Sequence, residues 1–207
     1  MLSDVLQRLR AWFTLSPQQQ KALAAELSQK HRRTQTIMFS DMAGFSKKTR
    51  LLPDISLLAQ WAHFVDIAKS ATSRYNGRIL RSIGDDLFWA FNDPLHALAT
   101  ARAIQRGLES HNAGHSPLEQ IITCFGIACG PVLDCGNDMY GEAVNIASKL
   151  AEDIGDGQEI LLAEKALLHL PAAFQPHFTP KRVSISGISF TYYSLAAVPP
   201  VDVLLFG

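Results

Sequence analysis

Arg78-Ile79-Leu80-Arg81-Ser82-Ile83-Gly84-Asp85-Asp86-Leu87-Phe88-Trp89-Ala90-Phe91 places two extended runs about a Gly84-Asp85 turn, which predicts an antiparallel hairpin of residues 78–83 and 86–91. A helical pattern lies on either side. Leu57, Leu58, Trp61, Phe64, Val65 and Ala68 mark an amphipathic helix before the hairpin, and residues 93–108, opened by Asp93-Pro94, read as a helix after it. A short buried strand at 36–40 precedes the first helix. A strand at 121–129 follows the second, with Gly130-Pro131 as a turn and 132–133 as a short continuation. The order β-α-β-β-α-β is the signature of a ferredoxin-like α+β fold. It is extended by a helix at 142–153, a strand at 159–162, a short helix at 164–170 and a closing hairpin of 183–185 and 190–195 about Gly187.

Residues 2–13 put Leu2, Val5, Leu6, Leu9 and Phe13 on one helical stripe. Ser16-Pro17-Gln18-Gln19 then reads as an N-cap, a proline at the first helical position and a capping-box glutamine. A second helix is expected over 17–29, with Leu23, Ala24 and Leu27 inward. Residues 1–33 therefore form an expected N-terminal helical hairpin, which must pack on the main domain or on a second subunit in a dimerising, regulatory or passive role. The main domain is expected over 34–195. The apolar tail, 196–207, is expected to dock on its own domain or on a partner, because a loose apolar end invites association.

The 207 residues are 47% hydrophobic and 18% charged, which suits one packed domain with an appendage. Lys plus Arg equals Asp plus Glu at 19 each, which argues against a chain that coats nucleic acid with a basic face. Three cysteines without CxxC spacing give neither a disulfide framework nor a zinc site. No run of about 18 apolar residues predicts a transmembrane helix, and the first residues lack the layout of a signal peptide. The cytoplasm is the expected location. Neither a P-loop nor a GxGxxG fingerprint is present, and no HExxH or Gly-x-Ser-x-Gly motif occurs.

Two carboxylates stand out. Asp41 ends the apolar run Ile37-Met38-Phe39, and Asp85 sits at the tip of the hairpin. Taken singly, the first reads equally as a helix N-cap and the second as a turn residue. A carboxylate at the mouth of a rigid strand can also hold a divalent cation. Two on neighbouring strands can hold a metal pair, the device that stabilises attacking and leaving oxygens in phosphoryl chemistry.

Three segments, in order and in spacing, resemble the bacterial-type catalytic domain of class III nucleotidyl cyclases, the adenylate and guanylate cyclases. They are Met38-Phe39-Ser40-Asp41-Met42-Ala43-Gly44-Phe45-Ser46, the hairpin from Arg81 to Phe91, and Phe125-Gly126-Ile127-Ala128-Cys129-Gly130-Pro131-Val132 continued by Asp138-Met139-Tyr140-Gly141-Glu142-Ala143-Val144-Asn145-Ile146-Ala147-Ser148-Lys149. The resemblance covers roughly 34–195. It implies that Asp41 and Asp85, helped by the Met42 carbonyl, bind two Mg2+ or Mn2+ ions that activate the ribose 3′-hydroxyl and neutralise the pyrophosphate leaving group. Gly44 permits a tight turn, and the amides of Ala43, Gly44, Phe45 and Ser46 at a helix start would cradle phosphate. Asp138 holds the position that accepts from the adenine amino group, Asn145 the one that orients the ribose, and Lys149, four residues on, the transition-state cation. The family draws the metal half and the base-reading half of each site from opposite subunits, so a head-to-tail homodimer is implied.

Three positions depart from the pattern. The family lysine that reads adenine N1 is Arg81 here, the transition-state arginine is Lys149, and a late triphosphate lysine aligns with Ser186, with Lys181 or Arg182 nearby as substitutes. Arginine and lysine differ in geometry, so the base is less constrained than the reaction. The implied activity is conversion of a nucleoside triphosphate, ATP first because of Asp138, to the 3′,5′-cyclic nucleotide (cAMP) and pyrophosphate. GTP or a pyrimidine triphosphate is the alternative substrate, and a degenerate nucleotide-binding or interaction module without turnover is the alternative function.

Overall fold

The computed structural model describes residues 4–185 and 188–195. Its helices are α1 (Asp4–Leu9), α2 (Pro17–His31), α3 (Phe45–Lys48), α4 (Asp54–Arg74), α5 (Pro94–Asn112), α6 (Glu142–Lys149) and α7 (Glu164–Leu168). The strands are β1 (Arg32–Met42), β2 (Arg78–Ile83), β3 (Asp86–Phe91), β4 (Thr123–Asp134), β5 (Met139–Tyr140), β6 (Ile160–Ala163), β7 (Phe178–Ile185) and β8 (Ile188–Leu195). One sheet runs β2-β3-β1-β4-β6-β8-β7, with β5 attached to β4. The run β4-β1-β3-β2 is the ferredoxin-like core that the hairpin forecast, and β6, β8 and β7 extend it on the β4 side.

Strand alternation divides the buried residues between two faces. On one face Met38, Trp89, Phe91, Phe125 and Ile127 pack with Phe64 and Ala68 of α4 and with Leu98, Ala101 and Ile104 of α5. The large apolar area there is the main stabilising term, about 1.5–3 kcal/mol for each large side chain fully buried. Trp89 is wholly buried, and its indole donates to Thr72 Oγ1 at 2.9 Å, so no polar atom of the ring is stranded. On the other face Ile37, Phe39, Phe88 and Ala128 pack with Ala143, Ala147 and Leu150 at α6 and its C-terminal turn. That turn, Leu150–Ile154, is a π-helical extension of α6. Gly126 makes this contact possible, since a β-carbon there would run into the Ala147 carbonyl and lie 2.7 Å from Leu150 Cβ.

Several elements differ in extent from the sequence expectation. Strand β1 begins at Arg32 and is 11 residues long, because its pairing with β4 continues as far as Arg32–Leu133. The Gly130-Pro131 turn does not form. Strand β4 runs straight through it, with Pro131 opposite Thr34 in a segment where β1 is the described neighbour, so the missing proline N–H breaks no ladder there. The first helix stops at Leu9, and a 3-10 turn over Trp12–Thr14 follows. Phe13 is consequently 93% exposed rather than inward. The second helix has the capping box as read, with Gln19 N donating to Ser16 Oγ and Ser16 N donating to Gln19 Oε1. The helical pair packs on its own domain through Val5, Leu27 and Cys135. Leu2, Ser186, the Gly187 turn and the apolar tail lie outside the described residues.

Candidate active site

Strands β1 and β3 pair antiparallel with Ser40 opposite Leu87, and the same register carried one step on brings Asp41 opposite Asp86. Asp85 occupies the adjoining turn. Carboxylate oxygens of Asp41, Asp85 and Asp86 all lie within 4.8 Å of one another, and all three residues are half-buried. Burial first, and then the neighbouring charges of Asp85 and Glu152, push the Asp41 carboxyl up to about 6. Burial, together with Asp85, Glu152 and Asp41, pushes Asp86 up to about 7. Asp85 is raised too, mainly by burial and against the pull of a hydrogen bond from its own backbone. Oδ1 of Asp86 is closed to solvent and has no hydrogen-bond partner. Clustered oxygen donors that repel one another, one of them orphaned, fit a hard divalent cation such as Mg2+ or Mn2+.

A stability consequence follows from these shifts. A carboxyl whose folded pKa lies above its unfolded value favours folding below the unfolded pKa, near 4, and loses that contribution as pH rises through 6–7. In metal-free protein, Asp41→Asn should therefore match the wild type near pH 4 and melt higher at pH 8. After discounting for partial exposure the gain is about 1 kcal/mol. Melting curves at the two pH values check this, and an Asn variant that is less stable at pH 8 contradicts it.

The sequence did not single out Asp86 or Glu152. Strand alternation held the signal for Asp86, since a residue opposite Asp41 must share its face. Glu152 comes near only because of the π turn after α6. Met42 points its side chain into the core, which leaves its backbone as the part that can serve a metal. Gly44 adopts φ +73°, a left-handed conformation, at the place where a tight turn was expected. Of the four amides expected to cradle phosphate, one is already committed. The Ala43 amide is already donated to the Ile122 carbonyl at 2.9 Å, leaving Gly44, Phe45 and Ser46 at the start of a four-residue helix. Lys48, also unforeseen, is buried and donates to Gln60 Oε1 at 2.9 Å and to the Gln120 carbonyl, tying α3 to α4 and to the approach to β4. Burial lowers its pKa.

Arg81, Asp138, Asn145 and Lys149 come together in a cleft of about 890 Å³, walled by Tyr140 and Phe190. Arg81 Nη1 donates to Asp138 Oδ2 at 3.0 Å while its guanidinium lies over the Phe88 ring, 5.4 Å from the centroid. The other Asp138 oxygen accepts from Met139 N at 2.9 Å, which fixes the carboxylate plane. Asn145 is exposed one turn before Lys149, whose amine pairs with Asp153 at 3.4 Å. Neither Lys181 nor Arg182 lines this cleft, and Lys181 pairs with Glu159 at 3.1 Å. Asp41, Met42, Ala43, Gly44, Phe45, Ser46 and Asp85 are likewise absent from its walls. The candidate residues thus fall into two groups, an acidic cluster at the strand ends and a cleft of mixed charge beside α6. All three cysteines are buried and none forms a disulfide, and no described helix is long and apolar enough to cross a membrane.

Comparison with known proteins bears on the fold. No family model matches the sequence. A putative adenylate cyclase 3 of Rhizobium meliloti (strain 1021) is 24% identical over 126 residues, covering 58% of this chain and 20% of that protein. An adenylate cyclase of Streptomyces coelicolor is 28% identical over 112 residues, 54% of this chain and 28% of that protein. The chain spans about a fifth to a third of the length of the curated relatives it matches. Among solved structures, an adenylate/guanylate cyclase/hydrolase from Silicibacter pomeroyi superposes with a TM-score of 0.71 at 22% identity, over 81% of this chain and 98% of that one. The guanylyl cyclase Cya2 gives a TM-score of 0.72 at 20% identity, over 82% and 94%.

Proposed function

Given a chain that has the fold of the adenylate and guanylate cyclase catalytic domains, we propose that it is a metal-dependent nucleotidyl cyclase, a phosphorus–oxygen lyase. It forms a 3′,5′-cyclic nucleotide and pyrophosphate, with ATP as first substrate, at composite sites of a head-to-tail homodimer. The observation that carries the proposal is the division of the site. Asp41 and Asp85 sit outside the cleft that gathers Arg81, Asp138, Asn145 and Lys149. The two groups adjoin at Arg81 and Glu152, and a second copy turned head to tail would set the aspartates of one protomer over the cleft of the other.

Asp41 and Asp85, with the Met42 carbonyl, would hold the ions. Bound there, the divalent cations supply Lewis acidity toward the attacking hydroxyl and the departing pyrophosphate. In the partner cleft, Arg81 and Asp138 present a donor beside an acceptor. That pair matches the N1 acceptor and amino donor of adenine, and the Met139 amide keeps Asp138 in plane to read them. Asn145 orients the ribose by hydrogen bonding. Lys149 moves from Asp153 to the α-phosphate, where the gathering negative charge is the stronger attraction.

The same Arg81–Asp138 pair favours one second reading. Guanine offers a carbonyl acceptor beside an N–H donor, and the fork of Arg81 can supply the former while Asp138 takes the latter. Incubation of purified protein with Mn2+ and each of the four nucleoside triphosphates separates the cases. Cyclic AMP is the expected dominant product. Dominant cyclic GMP selects the second base, whereas no cyclic product from any triphosphate, under conditions where the dimer forms, overturns the enzyme.

A further inference from the structure

We propose that Asp86 is a third carboxylate ligand of the divalent-cation site, so that the chain holds metal with Asp41, Asp85 and Asp86 together. The inference rests on the metal-dependent reading above and goes beyond the aspartate pair on which that reading stands. Three observations carry it. Ligand oxygens of all three residues lie within 4.8 Å of one another. The β1–β3 register, carried one step past Ser40–Leu87, sets Asp86 across from Asp41 on the same face of the sheet, and both residues lie within strands rather than in a loop. Finally, Asp86 Oδ1 is sealed from solvent with no hydrogen-bond partner.

A carboxylate oxygen closed to solvent and without a donor is costly to bury, and two more carboxylates beside it make matters worse. The nearby cations do not relieve it. Arg81, which shares a small cavity of about 130 Å³ with Asp86, Glu152, Phe39 and Phe88, is bonded to Asp138. Lys149 is on Asp153, and Lys48 is on Gln60 and the Gln120 carbonyl. A divalent ion answers all three carboxylates at once, and oxygen-only ligation selects Mg2+ or Mn2+ over softer metals. Asp86 also gives the site a third negative charge, which should tighten binding of the ion before any nucleotide arrives.

The test uses Mn2+ alone, titrated into the full chain at pH 8, with free Mn2+ followed by its paramagnetic resonance signal. Asp86→Asn is expected to weaken Mn2+ binding by at least about tenfold, Asp41→Asn to abolish it, and Asp66→Asn on the exposed side of α4 to leave it unchanged. Metal-free melting separates loss of a ligand from loss of the fold, because Asp86→Asn should melt no lower than the wild type. Added Mn2+ should then raise the wild-type melting temperature more than that of the variant. Full Mn2+ affinity in Asp86→Asn, alongside loss in Asp41→Asn, overturns the third ligand and leaves the cyclase reading standing. An equal weakening in Asp66→Asn also overturns it, by showing only diffuse charge. No bound Mn2+ in the wild type at millimolar concentration removes both.

Discussion

Alanine at Asp41 or Asp85 should lower cyclic-nucleotide formation by at least about a thousandfold, the scale expected when charge stabilisation in the transition state is lost. The fold should survive, because removing one member of a mutually repelling cluster relieves strain in the metal-free protein. The division of the site adds a sharper expectation. Asp41→Ala and Asn145→Ala, each inactive alone, should regain activity when mixed. A heterodimer of the two places both lesions in one composite site and leaves the other intact. Circular dichroism and sizing check the fold, and product assays of the single and mixed variants check the rest. Strong activity in Asp41→Ala removes the metal assignment. Failure of the mixture to recover, with heterodimers demonstrably formed, removes the composite site.

The largest stability effect is expected at Gly126, where β4 passes under the last turn of α6. Even the β-carbon of alanine would collide with the Ala147 backbone carbonyl and approach Ala151 N to 2.7 Å, so α6 must lift off the sheet. Overpacking against side chains costs about 1–3 kcal/mol, and backbone yields less than side chains do. Gly126→Val should therefore cost at least about 3 kcal/mol. For a chain of this size that lowers the melting temperature by roughly 6–12 °C. Because α6 carries Asn145 and Lys149, any protein that still folds should lose kcat more than its ability to bind Mn2+. A melting temperature within 2 °C of wild type, roughly the shift of a sub-kcal change, would show that the helix accommodates the side chain.

The hairpin of β2 and β3 was legible because a two-residue turn between strand-forming runs has few other meanings, and the capping box of α2 because its hydrogen bonds are local. Pro131 misled for the opposite reason. Whether a proline breaks a strand depends on which side lacks a partner, and that is decided by strands remote in sequence. Phe13 fell outside its stripe because helix length is set by the turn that follows it rather than by apolar spacing alone. In the site, Asp41 and Asp85 lie in the acidic cluster and Arg81, Asp138, Asn145 and Lys149 line the cleft, whereas Ala43, Gly44, Phe45 and Ser46 line no part of it. Asp86 and Glu152 did not stand out because their relevance arises from cross-strand register and from a π turn. The commitment of the Ala43 amide depends on the distant Ile122 carbonyl. Long-range geometry supplied what local pattern could not.

The β2–β3 hairpin carries Arg81 on one strand and the acidic pair Asp85-Asp86 at its tip. In a head-to-tail dimer, Arg81 serves one reaction centre while the acids serve the other, so a single short ribbon is shared property of two centres. Inheritance of damage then differs along the chain. A lesion confined to α6 or to β1 spoils one role and leaves the second open to rescue by a different defective copy. A lesion that displaces the ribbon disables both roles in the same protomer, and no companion allele can make up the loss. The hairpin is thus the segment on which a mixed population of subunits is least forgiving.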